Sequence, residues 1–213
     1  SQGLLSIFRD PYLMTLLVRK GIKTRYYGSA LGWVWSYVRP FAQFLMYWMV
    51  FGLFLKVSRG ELFPVYLFAG LIVINLFSEI FRNTTSAIVD NQSLVKKIFL
   101  PRELFPVAAA GVAFIHFLPQ VVILLLVALF FGWTVTWLQV AAFLVAILLM
   151  FIWTMGLGLF FGAINVAQRD AKNIVDLILM FATWGSPVIY SWHMVAEAFP
   201  EWLYHLYMSN PVT

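Results

Sequence analysis

The stretch from Ile22 to Pro40, IKTRYYGSALGWVWSYVRP, joins a short basic segment to the first long apolar run of the chain. The cations at its start are Arg19, Lys20, Lys23 and Arg25. Because basic residues are enriched on the cytoplasmic side of a membrane, they predict that the chain enters the bilayer from the cytoplasm. Trp33, Trp35 and Tyr37 follow at the depth where amphipathic rings favour the lipid headgroups. The stretch therefore predicts a membrane protein with a cytoplasmic N-terminal segment.

The composition supports this prediction. Of 213 residues, 62% are hydrophobic and 11% are charged, whereas a soluble domain is normally about a quarter charged. The net charge of +5 comes from cations that cluster at predicted membrane borders, which favours an orienting role over a nucleic-acid partner. The absence of cysteine excludes disulfides and thiolate metal sites.

Residues 4–27 are predicted to form an amphipathic helix that lies on the membrane surface. Asp10 and Pro11 are typical of a helix start, and Leu13, Leu16 and Leu17 form one apolar stripe. A frayed cytoplasmic leader remains the alternative.

The rest of the chain predicts an all-α membrane domain with five visible spans. The predicted spans cover residues 31–55, 63–89, 104–131, 138–164 and 174–189. Of 14 lysines and arginines, only Lys56 and Arg59 fall on the outer side in this topology, and Arg82 lies within a span. Residues 190–208 alternate aromatic and polar side chains, which predicts a short re-entrant or interfacial hairpin on the outer side, or else a plain outer loop.

Charges inside the spans are candidate functional residues because each is costly in lipid. Glu79 and Arg82 are three residues apart on one helix and predict a structural ion pair, with a substrate contact as the alternative. Arg39 is predicted either to reach the inner headgroups or to bind a lipid-linked pyrophosphate, whose oxygens suit a guanidinium.

Three further features carry predictions. His116 lies three residues before Pro119 and is expected to pack at the proline kink, with a proton relay as the alternative. Asp176 is expected to pair with Lys172, four residues earlier. The small-residue motif Gly158–Gly162 predicts close approach to a neighbouring helix.

The sequence contains no phosphate-binding loop, no H-E-x-x-H motif and no cluster of carboxylates within the spans. We therefore expect no catalytic residues, no metal site and no cofactor in this chain. A short polar segment at residues 90–103, bounded by two span ends, would suit a rigid projection that fits a cytosolic ATPase. An ordinary basic inner loop is the alternative.

Four motifs match one known family in the same order. They are Lys23, Arg25-Tyr26, Ser29, Leu31-Gly32, Trp35 and Pro40; Asp90-Asn91, Leu94, Lys97 and Pro101 to Pro106; Arg169-Asp170 with Lys172; and Ser186-Pro187 with Tyr190. Together they resemble the membrane subunits of ABC-2 type polysaccharide exporters. No single motif is specific, but together they extend over nearly the whole chain.

The resemblance implies a homodimer in the bacterial inner membrane, with a cytoplasmic N-terminus and two copies of a cytosolic ATPase subunit that bind ATP and magnesium. It implies a lipid-linked glycan as substrate and six spans, so a last span is expected to be missing from this sequence. Implied ATPase-coupling residues are Asn91, Gln92, Leu94, Lys96, Lys97, Arg102, Glu103, Arg169 and Asp170. Candidate residues of the substrate path are Tyr37, Arg39, Tyr190, Trp192 and Trp202, for which an aromatic belt at the headgroups is the alternative.

Three other functions stay open at this point. ABC-2 permeases also move drugs and other lipids. An ion-coupled flippase would need protonatable groups near the bilayer midplane, for which only His116, Glu79 and Arg82 are candidates. A membrane-embedded glycosyl- or phosphotransferase would need clustered carboxylates for a metal, and those of this chain are scattered.

Overall fold

A computed structural model describes residues 11–54, 62–97, 101–188, 190, 195 and 200–209. These ranges contain helices and no β-strand. The helices are α1 (Pro11–Tyr26), α2 (Trp35–Tyr47), α3 (Phe63–Asp90), α4 (Gln92–Lys97), α5 (Leu104–Phe130), α6 (Trp137–Ala167), α7 (Ala171–Trp184) and α8 (Glu201–Met208). The all-helical fold class predicted from the sequence is confirmed for this part of the chain.

Helix α3 is the centre of the bundle and packs against both α5 and α6. Its most deeply buried apolar side chains are at most 1% exposed, and they are Leu67, Phe68, Ile72, Leu76, Ile80 and Phe81. Helix α6, by contrast, exposes many large apolar side chains, among them Leu144, Leu148 and Ile152. An exposed surface of this kind requires lipid or another apolar partner.

The contact between α3 and α6 depends on glycine. A Cβ atom at Gly158 would lie 2.7 Å from Cβ of Thr84, and one at Gly162 would lie 3.3 Å from the Thr84 carbonyl oxygen. One turn further on, Asn165 donates a hydrogen bond from Nδ2 to the Thr85 carbonyl oxygen at 3.0 Å. The predicted close approach at this motif is confirmed.

Helix α1 packs against α5 in the same manner. A Cβ atom at Gly21 would lie 2.8 Å from Cγ2 of Val112, so the Val112 side chain packs directly against the backbone of α1. Of the three leucines in the predicted apolar stripe, Leu13 and Leu17 are half-buried and Leu16 is 53% exposed. The half-buried face turns toward α5, and its position at a membrane surface stays a prediction. Residues 4–10 of the predicted helix lie outside the described part of the chain.

The first predicted span is helical but irregular. A 3₁₀ turn at Gly32–Val34 leads into α2, and a π-helical segment at Trp48–Phe54 continues it. Pro40 lies inside α2, where it cannot donate the usual hydrogen bond to the carbonyl of Ser36. The predicted span 31–55 is therefore not one regular helix.

Among the described residues, three helical segments are long and apolar enough to cross a membrane: Phe63–Lys97, Leu104–Phe130 and Trp137–Ala167. Helix α7 has 14 residues, fewer than the roughly 20 that a bilayer requires, and the chain leaves helical geometry at Gly185. The predicted fifth span 174–189 is therefore not one continuous long helix. The number of spans stays a prediction.

The glycine contact can be tested with a matched pair of substitutions. We expect Gly158→Ala to lower the free energy of unfolding in detergent by about 1–3 kcal/mol, because the new methyl group forces α6 away from Thr84. Gly156→Ala is the control, since a Cβ atom there meets nothing within 4 Å. Equal stability of the two variants would show that the close contact is not required.

Candidate functional site: a polar cavity between four helices

A polar cavity of about 640 Å³ lies between the end of α1, the first half of α2 and the middle of α3 and α5. Its charged or titratable lining residues are Arg25, Arg39, Arg82, Glu79 and His116, and its amide side chains are Gln43, Asn75, Asn83 and Gln120. The bundle around it is apolar. A polar cavity inside an apolar helix bundle is the default candidate for a binding site.

The cavity carries an excess of positive charge. Three guanidinium groups face one carboxylate, so the formal charge of the lining is +2 when His116 is neutral. The guanidinium of Arg39 lies 5.6 Å from the centre of the Trp35 ring, a cation–π contact. No carboxylate contacts Arg39 in the part of the chain that the structure describes. The cavity is therefore suited to an anion.

Glu79 is bound by two other helices. Its Oε1 accepts a hydrogen bond from Nη1 of Arg25 on α1 and lies 3.0 Å from Nδ1 of His116 on α5. The side chains of Arg25, Glu79 and His116 are 39%, 18% and 3% exposed. This cluster ties α1, α3 and α5 together at the cavity wall.

The predicted ion pair between Glu79 and Arg82 is wrong. Arg82 donates from Nε to Oδ1 of Asp176 on α7 at 2.8 Å. Positions three apart on an α-helix differ by about 60° around the axis, so the two long side chains reach different neighbouring helices. The expected pairing of Asp176 with Lys172 is wrong for the same reason, since Lys172 binds Asp90 at 3.1 Å.

His116 belongs to the cluster rather than to the proline kink alone. Its ring meets the ring of Tyr26 edge-on at 5.7 Å, and its carbonyl oxygen accepts a hydrogen bond from Nε2 of Gln120 at 3.2 Å. Pro119 does lie inside α5. The spacing to Pro119 predicts only a local backbone contact, whereas the imidazole contacts Arg25 and Glu79, which are far away in sequence.

The uncharged lining was missed by the sequence analysis. Asn75 donates from Nδ2 to Oε1 of Gln43 at 3.0 Å, and Oε1 of Gln120 is buried without a hydrogen-bond partner among the described residues. The available signal was an amide side chain in the middle of an apolar span.

The candidate coupling residues lie on segments near the C-terminal end of α3, at one end of the bundle. Lys20 of α1 donates to Oδ1 of Asn91 at 2.9 Å, next to α4. Lys172 at the start of α7 binds Asp90 at the end of α3. The side chains most open to solvent are those of Gln92, Lys96, Lys97, Arg102, Arg169 and Asp170, whereas Asn91, Leu94 and Glu103 are half-buried. Their role stays a prediction.

At the opposite end, tyrosines fasten the chain after α7 to α3. The hydroxyl of Tyr66 donates to the carbonyl oxygens of Pro187 and Tyr190, and the Tyr190 hydroxyl donates to Trp184 O at 2.8 Å. Tyr207 of α8 donates to the Tyr190 hydroxyl at 3.4 Å. Burial, together with this hydrogen bond, raises the pKa of Tyr207. Tyr190 thus makes structural contacts here, and a role in the substrate path stays a prediction.

The other candidate path residues are spread apart. Tyr37 lines an apolar groove between α2 and α5 rather than the polar cavity, Arg39 lines the cavity, and Trp202 on α8 is 68% exposed. Trp192 and the rest of residues 191–194 and 196–199 of the predicted outer hairpin lie outside the described residues. Within the described part of this segment, α8 begins directly after Pro200.

The corrected ion pairing can be measured by double-mutant cycles. Using Arg25→Gln, Glu79→Gln and Arg82→Gln, we expect a coupling in unfolding free energy on the order of 1 kcal/mol between Arg25 and Glu79. Between Glu79 and Arg82 we expect a coupling near zero, because their charges are held by other partners. A larger coupling in the second cycle would restore the pairing inferred from the sequence.

Several known membrane transport proteins are similar to this chain in sequence. The family model for the ABC-2 type transporter matches residues 12–213. The O-antigen export system permease protein RfbA of Myxococcus xanthus is 30% identical over 84% of this chain and 68% of its own length. RfbA of Klebsiella pneumoniae is 26% identical over 90% of this chain and 73% of its own length. The polysialic acid transport protein KpsM of Escherichia coli is 26% identical over 92% of this chain and 75% of its own length. The chain belongs to the ABC-2 type transporter family of membrane proteins.

Proposed function

We propose that the chain is the permease subunit of an ATP-driven exporter. Its substrate would be a polysaccharide linked to a polyprenyl pyrophosphate, moved from the cytoplasm across the bacterial inner membrane. Membership of the ABC-2 family carries the proposal, and the O-antigen export and polysialic acid transport named for its relatives support the substrate class. No catalytic residue is assigned to this chain, and ATP and magnesium would be bound by a separate ATPase subunit.

The polar cavity supports the lipid-linked substrate. Guanidinium groups bind phosphate oxygens with two parallel hydrogen bonds, and Arg39 has no carboxylate partner among the described residues. The nearby indole of Trp35 and the hydroxyl of Tyr26 offer a sugar a flat apolar face and a hydrogen-bonding group. An anionic pyrophosphate with an attached sugar matches both properties of this lining.

The inner end of the bundle supports docking to the ATPase. Helix α4 is short, leads away from the end of α3, and presents exposed Lys96 and Lys97. Two copies of the permease and two ATPase subunits would form the transporter, with the N-terminus of each permease in the cytoplasm. The exposed apolar surface of α6 is available to lipid or to the second copy.

The ATPase partner can be tested by affinity purification from native membranes. We expect a P-loop ATPase to co-purify with the wild-type chain, and to be lost when Lys97 and Arg102 are both reversed to glutamate. The matched control reverses Lys56 and Arg59, which the sequence places on the outer side, and it should retain the ATPase. If no ATPase co-purifies in mild detergent, the exporter proposal fails.

In that event, the protonatable pair of His116 and Glu79 favours a second candidate function, an ion-coupled flippase. Transport driven by a proton gradient in vesicles without ATP would then be observed. Its loss in His116→Ala would identify the histidine as part of the proton path.

The substrate contact of Arg39 can be tested in an export assay. We expect Arg39→Ala to reduce polysaccharide export roughly tenfold or more, because a charge-assisted contact to the pyrophosphate is lost. Complex assembly should stay normal, since no carboxylate depends on this guanidinium among the described residues. Arg19→Ala, on an exposed position of α1 outside the cavity, is the control. Unchanged export by Arg39→Ala would exclude the contact.

A further inference from the structure

Glu79 is the one carboxylate that lines the polar cavity within the described residues, and it is bound to a cation of that cavity. We propose that the Glu79 carboxylate binds Arg25 while no substrate is present. The pyrophosphate of an arriving substrate then displaces this carboxylate and binds Arg25 itself. The inference rests on the proposed function, because it takes the pyrophosphate-linked substrate from there. It adds Arg25 to the residues that bind the pyrophosphate, and it makes the Glu79 carboxylate a competitor of the pyrophosphate for Arg25.

The contacts of Arg25 leave it open to a second anion. In the described structure its only hydrogen-bonding atom is Nη1, which contacts Glu79 and lies 3.0 Å from Nδ1 of His116. A guanidinium has five N–H donors, so most of them are free to bind a ligand. The side chain is 39% exposed and lines the cavity. Phosphate and carboxylate oxygens are equivalent acceptors for such donors, and a pyrophosphate offers more of them with more charge.

His116 makes the exchange inexpensive for Glu79. Nδ1 of the imidazole lies 3.0 Å from both Nη1 of Arg25 and Oε1 of Glu79. In a neutral ring this nitrogen either accepts from Arg25 or donates to Glu79, and it cannot do both. When Arg25 turns to a pyrophosphate, the Nδ1–H tautomer keeps a hydrogen bond to Glu79. The half-buried carboxylate is then not left without a partner, which would be costly.

The second imidazole nitrogen does not oppose this change. His116 is 2% exposed, and its Nε2 has no hydrogen-bond partner among the described residues. No contact at Nε2 therefore fixes the tautomer, and the choice is made at Nδ1, between Arg25 and Glu79.

The exchange connects the cavity to the segment that carries the candidate coupling residues. Arg25 is the next-to-last residue of α1, and Lys20 of the same helix binds Asn91 beside α4. Release of Arg25 from Glu79 removes the ion pair that ties α1 to α3. Substrate in the cavity would thereby weaken the attachment of α1 to α3. Because Lys20 of α1 contacts Asn91, this change would reach the segment proposed to bind the ATPase.

The test measures binding to the purified full-length chain in nanodiscs with two probes, farnesyl pyrophosphate and inorganic pyrophosphate. We expect Arg25→Gln to weaken binding roughly tenfold, because it removes a guanidinium that binds the pyrophosphate. We expect Glu79→Gln to strengthen binding roughly tenfold, because it removes the carboxylate that competes with the pyrophosphate for Arg25. Arg19→Gln is the matched control on the same helix, outside the cavity lining, and should bind like wild type. Opposite signs exclude a purely structural ion pair, for which both substitutions weaken binding, and the charge-neutral His116→Leu variant separates the exchange from a simple change in cavity charge.

A second variant keeps the test valid if Glu79→Gln does not yield folded protein. We expect His116→Leu to weaken binding of both probes, because Glu79 then has no second partner and releases Arg25 less readily. Equal or weaker binding by folded Glu79→Gln, or unchanged binding by His116→Leu, would overturn the exchange.

The two probes separate the sources of the pyrophosphate. Tighter binding of farnesyl pyrophosphate supports a lipid-linked ligand, and equal binding supports recognition of the phosphates alone. If wild type binds neither probe, both the exchange and the pyrophosphate-linked substrate of the proposed function fail. If wild type binds and Glu79→Gln binds no tighter, the exchange alone fails and the proposed function stands.

Discussion

Lipid offers no hydrogen bonds, so polar side chains inside the bundle depend on partners from the protein itself. Glu79 is held by cations or donors from two other helices, and Gln43 is held by an amide of α3. Asn165 of α6 likewise bonds to a backbone carbonyl of α3. In each case the partner lies on a helix other than that of the polar side chain itself. The hydrogen bonds that satisfy these side chains therefore also fix how the helices are arranged.

Helix α3 meets two opposite demands on its two sides. Toward α6 it presents Thr84 to the bare backbone at Gly158, a contact that only a small residue permits. Toward α1, α2 and α5 it presents Asn75, Glu79 and Asn83 to the polar cavity. The cavity and the close contact with α6 therefore lie on different sides of α3.

The cavity and the inner end of the bundle share a structural element. Helix α1 contributes Arg25 to the cavity wall and Lys20 to the contact with Asn91 beside α4. Its close packing on α5 at Gly21 makes it a firm part of the bundle rather than a loose leader. A helix that touches both places is suited to pass a change in the cavity to the surface proposed for the ATPase.

The sequence by itself determined the class of the protein. Apolar runs of membrane length, basic residues at their borders and an ordered set of local motifs need no knowledge of tertiary contacts, so the helical membrane fold and the ABC-2 family could be identified from them. The small-residue contact at Gly158 was also readable, because its spacing lies within one helix.

Only the tertiary structure decided which charges meet. Glu79 and Arg82 are neighbours on one helix, yet each pairs with a residue more than fifty positions away. Local spacing shows which side chains share a face, but long side chains reach across to other helices, and those helices are placed by packing. The cavity, in which Arg25 and His116 both contact Oε1 of Glu79, exists only once α1, α2, α3 and α5 are assembled.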